Sequence, residues 1–87
     1  MKKITLFIQR SCPFCRNALY LMDELFKQNP KYKSLEIEQI DELRHPDIAR
    51  KYDYYYVPTF YLDGKKMHEG AVNMEKIKRV FDAALEG

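Results

Sequence analysis

Apolar residues change their spacing several times along the chain, and each change predicts a new element. Lys3 to Ile8 carries Ile4, Leu6, Phe7 and Ile8, a short run apolar on both faces that suits a buried central strand. From Pro13 to about Lys27 the spacing becomes helical: Ala18, Leu19, Met22, Leu25 and Phe26 recur at three- and four-residue steps and build one apolar face. Pro13 fits the first helical turn, where its missing N–H costs nothing, and Asn29-Pro30 ends the helix. Leu35 to Ile40 places Glu36 and Glu38 between Leu35, Ile37 and Ile40, as expected of a second, more exposed strand. Pro46 to Tyr52 reads as a short helix, and Val57 to Leu62 as a third strand. Asp63-Gly64 signals a hairpin turn, after which Lys66 to Glu69 pairs back as a fourth strand. Asn73 can cap a last helix whose stripe is Met74, Ile77, Val80, Phe81, Ala84 and Leu85.

The order is β-α-β-α-β-β-α, an α/β chain. Its first β-α-β unit forces a parallel pair with a right-handed crossover, and the hairpin adds an antiparallel pair. The expected architecture is a mixed four-stranded sheet flanked by three helices, in a single domain over residues 1–87.

Composition narrows the partners more than the fold. The formal net charge of +2 is too weak to argue for nucleic acid or a membrane surface. No apolar run approaches the ~20 residues of a membrane span. The start, Met1-Lys2-Lys3, leads into a strand and lacks a small-residue cleavage site, so it does not read as a signal peptide. Only two cysteines occur, and without a secretion signal they suggest a reducing, cytoplasmic setting and not a disulfide scaffold. Nothing in the pattern demands more than a monomer.

Those two cysteines carry the chemistry. Cys12-Pro13-Phe14-Cys15 falls where the first strand hands over to the first helix. A helix N-terminus offers free N–H groups and partial positive charge, which favour thiolate at the first cysteine. Arg10 and Arg16 flank the motif, and the first acidic residue is Asp23, so the local field is positive. Cys12 is therefore the expected nucleophile on a substrate disulfide, and Cys15, one turn deeper, the resolving thiol. Pro13 stiffens the turn, and Phe14 is expected to shield the sulfur pair and give an apolar rim. Electrons travel in sulfur–sulfur bonds, so no bound cofactor is required. Structural zinc would need four ligands, and His45 and His68 stand far apart in no recognisable spacing, so no metal site is expected.

With these motifs in place the chain resembles the thioredoxin superfamily, on its glutaredoxin side. The resemblance covers nearly the whole chain. It rests on Ser11-Cys12-Pro13-Phe14-Cys15, Tyr56-Val57-Pro58-Thr59-Phe60, Asp63-Gly64-Lys65 and Gly70 before the last helix. It implies a cis peptide at Val57-Pro58, with the Val57 N–H and C=O facing outward beside Cys12 to pair with an extended substrate backbone. It implies a thiol–disulfide oxidoreductase that reduces protein disulfides or glutathione mixed disulfides. A different class of function on the same scaffold, an iron–sulfur cluster or metal carrier or a binding module, is the alternative; the proline directly after Cys12 works against a cluster.

The chain also departs from its relatives' patterns. Gln9 occupies the position where glutaredoxins usually carry a basic residue, and Leu6 the position of the buried acid of thioredoxins. Gly70-Ala71-Val72-Asn73 stands where glutaredoxins hold the amino-acid end of glutathione; Ala71 fills the second glycine position and Asn73 replaces an aspartate. The electron donor is thus open between glutathione, as a co-substrate, and a thioredoxin-reductase-type flavoprotein. Tyr52 and Tyr54 are expected to pack over the sheet, whereas Tyr55 and Tyr56 suit either packing or an aromatic wall that receives a partner.

Overall fold

The computed structural model describes all 87 residues. Four strands, β1 (Ile4–Ile8), β2 (Ile37–Asp41), β3 (Thr59–Leu62) and β4 (Lys65–Glu69), form one sheet in the order β2-β1-β3-β4. β1 pairs parallel with β2 and antiparallel with β3, and β3 pairs antiparallel with β4. Helices α1 (Pro13–Gln28), α2 (Pro46–Ala49) and α3 (Met74–Glu86) cover the faces. The mixed four-stranded sheet with three helices is the expected architecture.

All five residues of β1 are buried, because the strand is central in the sheet and covered on both faces. Ile4, Leu6 and Ile8 join Phe60 and Leu62 under α1 and α3, where Met22, Leu25, Ile77 and Phe81 close the larger core. Phe7 points the other way, as strand alternation requires, and meets Ile40 and Tyr61 in a smaller core. Tyr52 and Tyr54 pack on Phe7 with ring centroids 4.7 and 4.9 Å away, the packing role expected of them. Asp63 and Gly64 both take positive φ, 48° and 84°, as a two-residue hairpin turn between right-twisted strands demands.

Three boundaries differ from the sequence reading by two residues or more. The second helix ends at Ala49 and not at Tyr52: the N–H groups of Lys51 and Tyr52 bond the carbonyls of Ile48 and Ala49, which tightens the last residues into turns. The second strand starts at Ile37 because a 3-10 helix over Pro30–Ser34, not anticipated, engages the Leu35 N–H through the Tyr32 carbonyl. The third strand starts at Thr59, after the cis Val57-Pro58 peptide, which lies outside the ladder.

Sheet register determines what meets at the reactive end. Ile8 lies opposite Asp41, Phe7 opposite Thr59, and Thr59 opposite Glu69. The segments that continue from those positions are Gln9–Cys12, Glu42, Val57-Pro58 and Gly70. All four therefore gather at one end of the sheet.

Candidate active site

Cys12 is the N-cap of α1, in extended conformation, with Pro13 as the first helical residue. The turn before it is closed by the Cys12 N–H donating to the Gln9 carbonyl at 3.0 Å, and the helix opens with Arg16 N–H on the Cys12 carbonyl at 3.0 Å. Both cysteines are free thiols, Cys12 partly exposed and Cys15 buried.

Their electrostatics differ in sign. The Cys12 thiol is held below its ordinary range, chiefly by the main-chain N–H of Cys15 and further by that of Phe14, the Cys15 side chain and the Arg16 charge, against an opposing effect of burial. No formed capping hydrogen bond reaches the sulfur, so the effect is that of nearby dipoles at a helix start. Burial pushes the Cys15 thiol up to about 11, although the Gln9 N–H donates to its sulfur at 3.4 Å. Cys12 is thus the thiol that ionises and is reached from solvent, and Cys15 the one held in reserve.

The flanking residues take separate places. Arg10 and Arg16 are exposed, and Arg16 is the cation that acts on Cys12. Phe14 is 59% exposed, so it forms a rim beside the motif and not a cover over it. Leu6 lies fully buried in the core under the helices.

The second wall is the segment before β3. Tyr55 and Tyr56 are 87% and 70% exposed, Val57 is half-buried, and Pro58 is buried behind the cis peptide. The Glu69 carboxylate fixes this segment from β4 by accepting from the main-chain N–H groups of both Tyr55 and Tyr56 and from Lys66 Nζ. Those bonds, Lys66 first, pull the Glu69 carboxyl down to about 2. Gly70, at φ 93°, donates its N–H to the Pro58 carbonyl at 2.8 Å. Ala71 is exposed, and its carbonyl bonds the His68 ring. The Asn73 side chain caps α3 by accepting from the Lys76 N–H at 2.8 Å.

Two residues that organise this end of the sheet were not singled out from sequence. Glu42 follows β2 and bonds the Ile8 carbonyl through its N–H at 2.9 Å. Its carboxylate accepts from the Gln9 side-chain amide and, at 2.6 Å, from the Tyr54 hydroxyl. Glu69 is the second. A parallel β1–β2 pair places the residue after β2 beside the residue after β1, which is the one signal that points to Glu42. No group of three or more His, Cys, Asp or Glu side chains is arranged to hold a metal ion, and no helix is long and apolar enough to cross a membrane.

The profile of a family described as "Thioredoxin domain" matches residues 2–82. A protein named thioredoxin from Methanocaldococcus jannaschii is 31% identical over 75 residues, which cover 86% of this chain and 86% of that protein. Among solved structures, a thioredoxin from Fasciola hepatica superposes with a TM-score of 0.69 at 23% identity, covering 95% of this chain and 80% of the other. Thioredoxin O1 from Arabidopsis thaliana, in its oxidised state, gives 0.71 at 22% identity over 95% and 77%. At those identities the two structures speak for the fold.

Proposed function

We propose that this chain, which belongs to the thioredoxin-domain family and is a thioredoxin-like thiol–disulfide oxidoreductase, takes its electrons from a thioredoxin-reductase-type flavoprotein in preference to glutathione. The observation that carries this reading is the capping role of Asn73. Its side-chain oxygen is engaged by the Lys76 N–H, and it brings no charge to pair with the ammonium of glutathione. Ala71 adds a side chain where a second glycine would leave the main chain open.

Cys12 thiolate attacks a protein disulfide and forms a mixed disulfide. Cys15 then loses its proton and attacks the Cys12 sulfur; the substrate leaves as a dithiol, and the chain holds a Cys12–Cys15 disulfide until the flavoprotein reduces it. The exposed Tyr56 and the Val57 main chain would receive the substrate backbone beside Cys12. The chain needs no bound cofactor for this cycle and would work as a monomer in a reducing compartment such as the cytoplasm.

The test compares two NADPH-coupled routes on the oxidised protein: glutathione with glutathione reductase, and thioredoxin reductase alone. The glutathione route should be the slower of the two, because the glutathione ammonium lacks a charge-assisted hydrogen bond at Asn73. Equal or faster reduction by glutathione would overturn the preference and make the chain a working glutaredoxin.

A further inference from the structure

Gln9 joins two groups that the disulfide cycle does not otherwise connect. Its main-chain N–H donates to Cys15 Sγ at 3.4 Å, and its side-chain amide donates to the Glu42 carboxylate. Glu42 is held in turn by the Tyr54 hydroxyl at 2.6 Å and by its own N–H on the Ile8 carbonyl at 2.9 Å. Tyr54 is itself packed on Phe7. The chain of contacts thus runs from the smaller core, through Tyr54 and Glu42, to the one residue whose N–H reaches the buried sulfur.

That N–H matters only when Cys15 becomes an anion. A buried thiolate is costly unless a donor faces it, and a donor stabilises it only if the donor does not swing away as charge develops. Gln9 lies in the turn between β1 and α1, outside the sheet ladder. Its side-chain anchor on Glu42 ties it down. We propose that Glu42 is a positioning residue for the resolving step, acting on Cys15 through Gln9.

Two effects of Glu42 oppose each other and can be separated. Its contact with Gln9 holds the donor on Cys15, which favours the thiolate. Its negative charge acts against that thiolate, and it is among the groups that raise Cys15, after burial. The titratable and charged groups around Glu42 are Cys15, the Tyr54 phenol and, lining the same groove of about 460 Å³, Arg50 and the phenols of Tyr52 and Tyr55. Glu42→Gln removes the charge and can keep both contacts, since an amide can accept from Gln9 and donate to the Tyr54 oxygen. Glu42→Ala removes the charge and the contacts together. The two variants therefore share the loss of charge and differ in the side-chain contacts to Gln9 and Tyr54.

The inference rests on the proposed cycle, with Cys12 attacking and Cys15 resolving. The experiment is rapid mixing of the reduced full chain with dithiobis-nitrobenzoate, whose aromatic thiolate product is coloured. Attack by Cys12 breaks the reagent's disulfide, forms the mixed disulfide and releases one thiolate. Attack by Cys15 forms the Cys12–Cys15 disulfide, releases the second thiolate, and sends the Cys15 proton to solvent. The second phase should be slower in Glu42→Ala than in Glu42→Gln by about fivefold or more, the size of one ordinary hydrogen bond, with the first phase equal in both. The pH profile of the second phase should move to lower pH in Glu42→Gln, because a negative charge near Cys15 is gone. A first phase that is intact and a second phase equal in the two variants would overturn the role of Glu42. So would equal slowing of both phases in Glu42→Ala, which is what general loosening produces. Loss of the first phase in the parent protein would instead refute the cycle itself.

Discussion

Tyr56 donates its main-chain N–H to the Glu69 carboxylate at 2.9 Å, so a residue of β4 holds the segment that leads into Val57-Pro58. Because Glu69 also receives Lys66 and the Tyr55 N–H, its carboxyl falls to about 2 from an ordinary 4.5. A lowered carboxylate contributes stability that is present above its unfolded value and lost as the pH falls through its folded value. The urea midpoint of the parent protein should therefore exceed that of Glu69→Gln at neutral pH, and the gap should close between about pH 4.5 and about pH 2. A gap independent of pH would contradict the assignment. Amide exchange at Tyr55 and Tyr56 should also quicken in the variant.

The two thiols should alkylate in strict order. Cys12 is accessible and held low, whereas Cys15 is fully buried and raised to about 11. With iodoacetamide near neutral pH, Cys12 should react at least about a hundredfold faster, from ionisation alone. Peptide mass mapping of the singly modified protein gives the order directly. Cys12→Ser should abolish disulfide turnover, and Cys15→Ser should accumulate the mixed disulfide with substrate.

A stability contribution lies far from the thiols. Tyr32 is 1% exposed and donates its hydroxyl to Asp82 on α3 at 2.6 Å, while its ring lies 5.3 Å from that of Phe81. Tyr32→Phe keeps the ring and removes the bond to a charged acceptor, at a cost of about 1–3 kcal/mol. Tyr32→Ala should cost more, about 3–5 kcal/mol, because it also opens a cavity against Phe81. Denaturant titration of both variants measures the two contributions apart.

Asn73 offers a gain in place of a loss. Asn73→Asp keeps an oxygen on the Lys76 N–H and adds negative charge at the start of a thirteen-residue helix. It should stabilise the protein by about 0.3–1 kcal/mol at neutral pH and not below the carboxylate range. If the missing charge is what disfavours glutathione, the same variant should speed reduction by glutathione.

How far the sequence reaches can be judged from particular residues. Ile4 to Ile8, the stripe from Met74 to Leu85 and Asp63-Gly64 each carry a signal within a few neighbours, and each element formed where expected. Cys12 at the helix start is equally local. The turn over Pro30–Ser34 was not visible, because Tyr32 is held there by Phe81 and Asp82 across the core. Glu42 and Glu69 were missed for the same reason. One depends on parallel pairing across 33 residues to Gln9, the other on main-chain donors 13 and 14 residues away. Ordinary acidic residues beside strands gain their roles from register, which a single sequence states only indirectly.

The unequal burial of the two sulfurs also sets a dwell time. In the proposed cycle a partner joins at Cys12, the partly exposed sulfur, so the chain would hold one covalent guest at a time, and that guest would leave when Cys15, fully enclosed, gives up its proton. Whatever changes the surroundings of the inner sulfur changes how long each partner stays attached. The outer surface can thus select partners while the interior sets the interval, and the two properties can be altered independently.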